Sequence, residues 1–285
     1  MMSWVYEYRG QETGCSVERS IEMSVQILVV HAPGTNRDGD MAEACTLAGG
    51  QPEILTLSTL VQRPKQILEY DFLVFPGGFS YGDDLGAGKA WSSVLRQEFK
   101  DELEAFVKSG RPVLGVCNGF QTLLKAGLIP GADEGDVVWS TRPPATLTNN
   151  ESGQFECRWV RLEPDTTSVC AFTRHLDAPI DCPVAHGEGR VVLRSSDALV
   201  ALEASKQVPF RYIDRAGSSD VGYPINPNGS VAGIAALCNP QGNVMGMMPH
   251  PENHIYQWQR PSGRAQEWQL GLPLFEAAIR YAKSL

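Results

Sequence analysis

Between residues 25 and 127, short apolar runs alternate with amphipathic stretches, and this alternation limits the possible folds more than any other feature. Val25–Val30, Glu53–Leu57, Asp71–Phe75 and Pro112–Val116 read as short buried strands, since uninterrupted apolar runs suit strands covered on both faces. Asp38–Ala48, a turn of helix near Leu60–Leu68, and Trp91–Lys108 read as the helices between them. Strand and helix exchange about every 25–40 residues, the spacing of β-α-β crossovers. The chain is therefore read as an α/β fold on a mostly parallel sheet. The longest apolar runs are tetrapeptides such as Ile27–Val30 and Phe72–Phe75. A membrane span of about 20 apolar residues cannot be placed, and no hydrophobic signal core precedes Met23.

Beyond Gly127 the texture changes. Residues 137–235 are rich in Thr, Val, Pro and Gly, with strand-like pieces near Arg158–Leu162, Arg190–Leu193 and Pro209–Ile213. They read as an antiparallel, strand-rich excursion on the α/β core. Residues 223–229 (YPINPNG) carry turn chemistry, Val231–Leu237 and Val244–Met248 read as returning strands, and Leu272–Ala282 as a closing helix. Residues 1–24 have no strand or helix periodicity and read as an N-terminal extension, either disordered or the product of a start upstream of Met23. Residues 25–285 are then one domain.

A formal charge of −9 without a basic run argues against a phosphate backbone as the main partner, so no nucleic-acid role is expected. Seven cysteines are scattered, the nearest two (Cys170 and Cys182) being 12 apart, so no C-x-x-C pair exists. Unpaired thiols suit a reducing compartment, and the cytoplasm is the expected location. Most of the seven read as small buried apolar residues.

Cys117 is set apart by its neighbours. Arg111–Gln121 (RPVLGVCNGFQ) runs an apolar strand into a G-x-C-x-G turn with a helix-like stretch behind it. That is a nucleophile elbow with cysteine in place of serine. Glycines at 115 and 119 leave room for the tight turn, and a helix N-terminus favours a thiolate. The plain alternative is a structural cysteine at a strand end. Two H-x-E segments offer a base: His186-Gly187-Glu188 and His250-Pro251-Glu252. Residues i and i+2 face one side of an extended chain, so either glutamate could orient its histidine. Pro251 restricts His250, and the Val244–Met248 strand before it delivers it to the sheet edge expected for Cys117. His250 with Glu252 is therefore preferred, with His186 and Glu188 lining a nearby loop or forming a solvated turn. Sequence physics alone does not separate the two. His31 reads as a loop residue, His175 and His254 as surface residues.

Acyl transfer also needs donors for a developing oxyanion. Gly78, in the Phe75–Phe79 turn (FPGGF), and the amide of Asn118 are the candidates. Gly82 to Lys89 superficially resembles a phosphate loop, but its glycines are one residue too far apart and Ala90 stands where Ser or Thr would hold magnesium. Asp83 and Asp84 read as solvated, and no metal site is expected.

These segments, namely GVCNGFQ at 115–121, PGGFSYGDDLGAGKAW at 76–91, HGEGR at 186–190, YPINPNG and MMPHPE at 247–252, together resemble the glutaminase components of phosphoribosylformylglycinamidine synthases. Those are class I, or triad, glutamine amidotransferases. The resemblance implies a three-layer, flavodoxin-like sheet flanked by helices and a triad of Cys117, His250 and Glu252. It also implies that Gln121 helps to hold substrate L-glutamine. The implied activity is hydrolysis of glutamine to glutamate and ammonia, the ammonia passing to a synthetase subunit that makes phosphoribosylformylglycinamidine in purine biosynthesis. ATP and magnesium would serve that partner, with no cofactor in this chain; a small third subunit could join. The alternatives are the glutaminase of another amidotransferase, a stand-alone cysteine hydrolase, or a non-catalytic glutamine-binding regulator.

Overall fold

The computed structural model describes residues 24–131, 138–261 and 268–285. The extension expected over 1–24 therefore lies, but for Ser24, outside the described residues. Four strands begin the fold: β1 (Gln26–His31), β2 (Gln51–Thr56), β3 (Phe72–Phe75) and β4 (Val113–Val116). Between them come α1 (Asp38–Leu47), α2 (Leu57–Gln62), α3 (Lys89–Glu98) and α4 (Lys100–Lys108), and α5 (Asn118–Ala126) follows β4. After them come β5 (Ala145–Thr148), β6 (Glu156–Pro164), β7 (Ile180–His186), β8 (Arg190–Leu193), α6 (Ser196–Ala204), β9 (Phe210–Ile213), β10 (Ile234–Cys238), β11 (Val244–Met247) and α7 (Leu272–Ala282).

One nine-stranded sheet has the order β2-β1-β3-β4-β11-β10-β9-β6-β7. From β2 to β11 the neighbours run parallel, and from β11 to β7 they run antiparallel. The strand-rich excursion is thus an extension of the main sheet; among the described residues only β5 and β8 pair apart from it. The β1-to-β2 crossover runs one way along the sheet and the β3-to-β4 crossover the other. Right-handed connections therefore put their helices on opposite faces. α1 packs with α7, and α3 with α5, giving the three expected layers. Every residue of β3, β4, β10 and β11 is buried.

Two expectations need correction. β2, read as buried, is the exposed edge strand, with Ile54 41% accessible, because it has a neighbour on one side only. The single helix read over Trp91–Lys108 is two, α3 and α4, which meet at Phe99 with φ −132° and ψ 15°. Trp91, Leu95, Phe99 and Leu103 are all buried at four-residue spacing. Such a ladder drifts about 40° around a straight helix at each step, and the break turns it back to the sheet. No helix among the described residues is long and apolar enough to cross a membrane.

Because β1, β3, β4 and β11 are parallel, the loops after His31, Phe75, Val116 and Met247 all leave one edge of the sheet. Ligands of such sheets bind outside the carboxyl ends of the strands.

Candidate active site

Cys117 sits between β4 and α5 with φ 51° and ψ −105°. A non-glycine residue with positive φ is strained, and the strain persists only where the surroundings enforce it. They do so here. The Cys117 amide donates to the Met247 carbonyl of β11 at 2.8 Å, and the Gln121 amide donates to the Cys117 carbonyl at 3.0 Å. A Cβ on Gly119 would stand 1.9 Å from the Phe75 carbonyl oxygen, and one on Gly115 would stand 2.6 Å from Leu123 Cδ1. The elbow therefore closes only with glycine at both positions.

That closeness has a measurable consequence. Gly119→Ala drives a methyl into the backbone of β3, and overpacking of this kind costs about 3 kcal/mol or more when no side chain can yield. Gly39→Ala, in α1 with nothing within 4 Å of the new Cβ, is the control. It should leave stability unchanged or raise it by up to about 1 kcal/mol. Urea midpoints of the two variants check this; equal midpoints would contradict the packing seen at the elbow.

His250 and Glu252 follow β11. Their side chains meet with His250 Nδ1 at 2.6 Å from Glu252 Oε1, and both are buried. The pair is joined through a 3-10 turn, Pro251–Asn253, where an extended segment was expected, because Pro251 opens the turn. The His250 amide donates to the Pro183 carbonyl on β7 at 2.8 Å, which ties the loop to that strand. A Cβ on Gly77 would lie 2.7 Å from His250 Cε1 and 3.4 Å from Cys117 Cβ, so imidazole and nucleophile converge on this one glycine. Burial pulls the His250 pKa down, but the Glu252 carboxylate and the Cys117 sulfur outweigh it and push it up to about 10. Among the described residues His250 Nε2 has no hydrogen-bond partner, while the Cys117 thiol points to the Ala185 carbonyl at 3.7 Å.

His186 and Glu188 are brought to the same place but not to the same role. His186, ending β7, is 2% exposed, and its Nδ1 lies 3.0 Å from Asn150 Oδ1. The Glu188 carboxylate is 3.6 Å from Lys125 Nζ and accepts from the Ala87 amide at 3.4 Å. Glu188 therefore does not stand behind His186, whose burial also rules out a solvated turn for it. Burial and the neighbouring His250 hold the His186 pKa down at about 4, so it is neutral at pH 7.

Gln121 is turned inward. Its Nε2 donates to the Glu188 carbonyl at 2.7 Å and its Oε1 accepts from Asn118 Nδ2 at 2.9 Å. Its side chain thus braces the elbow helix against the 186–190 loop, with one N–H and one oxygen lone pair left for a ligand. Asn118 Nδ2 also donates to Asp83 Oδ1 at 3.2 Å, and Asn118 Oδ1 accepts from the Ser80 amide at 3.0 Å. Asp83 was expected to be solvated; burial instead raises its pKa, against hydrogen bonds from Gly88 and Asn118. The glycine-rich loop after β3 is thus laced to the residue that follows the nucleophile. Gly78 lies in an antiparallel bridge with Thr35, between the bonds Asn36 N–H to Gly77 O (3.3 Å) and Phe79 N–H to Gly34 O (2.9 Å). Among the described residues the amides of Gly78 and Asn118 have no acceptor.

The remaining histidines complete the comparison. His31 ends β1 and its Nδ1 is 2.8 Å from Asp38, His175 is exposed, and His254 is fully buried against Trp159 and Trp268 rather than at the surface. Cys45, Cys170, Cys182 and Cys238 are buried, whereas Cys157 is exposed. Among the described residues no cluster of three His, Cys, Asp or Glu could hold a metal ion. Sequence reasoning missed Asn150 and Lys125; neither sits in a motif, and each finds its partner far along the chain.

A family model described as CobB/CobQ-like glutamine amidotransferase domain matches residues 24–282. The chain is 43% identical to the phosphoribosylformylglycinamidine synthase subunit PurQ of Treponema denticola, over 91% of this chain and 99% of that protein. It is 36% identical to the subunit of the same name from Dehalococcoides mccartyi, over 92% and 99%. Among solved structures, a chain of PurLQS from Thermotoga maritima superposes with a TM-score of 0.67 at 30% identity, covering 91% of this chain and 99% of that one.

Proposed function

This chain belongs to the CobB/CobQ-like glutamine amidotransferases and, within them, to the PurQ subunits of phosphoribosylformylglycinamidine synthase, and from that premise we propose that Cys117, His250 and Glu252 carry out its glutaminase reaction. The observation that carries the reading is a strained cysteine at a helix N-terminus beside a buried histidine–glutamate pair. His250, its pKa raised to about 10 by Glu252 and the Cys117 sulfur, holds the proton taken from the thiol at neutral pH and leaves the sulfur as the nucleophile. The Cys117 sulfur attacks the side-chain amide of glutamine. The amides of Asn118 and Gly78 receive the oxyanion. His250 returns its proton to the leaving nitrogen, ammonia departs, and water then releases glutamate from the thioester.

The ammonia passes to a synthetase subunit, which uses ATP and magnesium to make phosphoribosylformylglycinamidine in purine biosynthesis. Measuring glutamate release by the chain alone and with the synthetase tests the whole reading. The isolated chain should turn over slowly, and turnover should rise at least about tenfold once the partner and its substrates are present. Composition predicts that the five glycines at 77, 78, 82, 86 and 88 leave this loop free to reorient. The bridge at Gly78 and the Asn118 contacts pin it instead, so the partner would act by shifting a held loop. Unchanged turnover in the complex would remove this regulation, and no glutamate in either case would remove the glutaminase reading.

A further inference from the structure

The hydrogen bonds around His186 define which of its nitrogens carries the proton. Asn150 Nδ2 donates to two carbonyls, that of His186 at 2.8 Å and that of Gln154 at 2.9 Å. That orients the amide, so the atom 3.0 Å from His186 Nδ1 is the oxygen Oδ1, which also accepts from the Gly189 amide at 3.0 Å. An amide oxygen only accepts, so Nδ1 carries the hydrogen and Nε2 carries the lone pair. A Cβ on Gly189 would stand 2.5 Å from the ring at both Cε1 and Nδ1, so the backbone of Gly189 lies against the imidazole and holds it in place. Nε2 is buried and, among the described residues, has no partner. An unsatisfied buried acceptor is costly unless something fills it.

The place is the reaction site. The carbonyl of Ala185, just before His186, receives the Cys117 thiol, and that of Glu188, two residues after it, receives the Gln121 side chain. On the glutaminase reading, the group arriving there is a carboxamide, which brings N–H donors.

We propose that His186 reads the amide: its Nε2 lone pair accepts an N–H of the substrate's carboxamide and so selects an amide over an ester or a carboxylate. The choice rests on complementarity. A carboxamide NH2 satisfies the lone pair, an ester oxygen cannot, and a carboxylate oxygen is repelled by it. As the C–S bond forms and the C–N bond breaks, the leaving nitrogen takes its proton from His250 and departs as ammonia. His186 holds the N–H before that step and neither gains nor loses a proton.

The test uses the full chain assembled with its synthetase subunit and compares glutamine with glutamate γ-methyl ester, which forms the same thioester but has no N–H on its leaving group. His186→Met should lower kcat/KM for glutamine by about tenfold to hundredfold, the scale of one unpaired buried donor, and change the ester by less than about threefold. His186→Gln, which keeps an acceptor near the Nε2 position, should recover most of the preference. Equal losses on both substrates, or Gln no better than Met, would overturn the assignment.

If His186→Met does not fold, Asn150→Asp decides. A carboxylate on Nδ1 favours the imidazolium, so Nε2 becomes a donor. The charged neighbours are otherwise committed: Glu156, its register partner on β6, to Arg158 and Ser152; Glu188 to Lys125; His250 to Glu252. Preference for glutamine should then fall at low pH and return as pH rises, with the ester flat; a profile like that of the unaltered complex would overturn the assignment. Two controls separate the levels: no glutamate from glutamine in the unaltered complex would sink the glutaminase reading itself, and residual hydrolysis of either substrate by Cys117→Ala would show that Cys117 is not the nucleophile.

Discussion

Cys117→Ala should abolish glutamine-dependent synthesis by the assembled enzyme while ammonium salts still support it. The thiolate forms the acyl intermediate, and the thiol's hydrogen-bond partner among the described residues, the Ala185 carbonyl, is an acceptor that cannot replace it. The synthetase needs only ammonia, so its own step survives. Folding should survive too. Alanine keeps the Cβ, meets the same strain at φ 51°, and removes only a weak contact at 3.7 Å. The variant should therefore unfold within about 1 kcal/mol of the unaltered chain. Glutamine use above a trace, in a preparation whose ammonium-dependent rate is normal, would show that Cys117 is not the nucleophile.

His250→Ala should be nearly as damaging, with a loss of about 10²–10⁴-fold in glutamine-dependent turnover. Combined with Cys117→Ala it should add little, because residues that act as one unit lose their effect together. His186→Ala should be milder, since its Nδ1 faces an amide and its neighbour Glu188 is turned to Lys125. One side effect needs its own control. Removing His250 leaves Glu252 buried without the group 2.6 Å away, and breaking a buried pair costs about 3–5 kcal/mol. The double variant His250→Ala, Glu252→Gln removes that charge; its activity should stay as low while its stability recovers. A side-by-side assay in which His186→Ala is the worse variant would move the triad to residues 186 and 188.

Local rules carry a long way in this chain. The closing helix Leu272–Ala282 has the bounds read from its periodicity, and the β4–elbow–α5 unit is written in the apolar run, the two glycines and the cysteine between them. These depend on neighbours within a few residues, where side-chain period and turn stereochemistry act. The same rules fail where burial is decided elsewhere. Glu53–Leu57 reads as a buried strand, yet β2 is an edge, because strand order is not a local property. His254 stands in no motif, yet it is fully buried between two tryptophans, one of them on β6 and the other just before α7. Residues 186–188 and 250–252 carry the same H-x-E pattern, and only the fold tells them apart: β11 delivers His250 and Glu252 onto Gly77 beside Cys117, whereas Asn150, from the loop before β6, takes His186 for a different hydrogen bond. By itself the sequence determined the elbow, the two candidate pairs and the family. Which histidine gets a carboxylate, and which is left with a bare lone pair, was decided by contacts between segments tens of residues apart, which no pattern along the chain encodes.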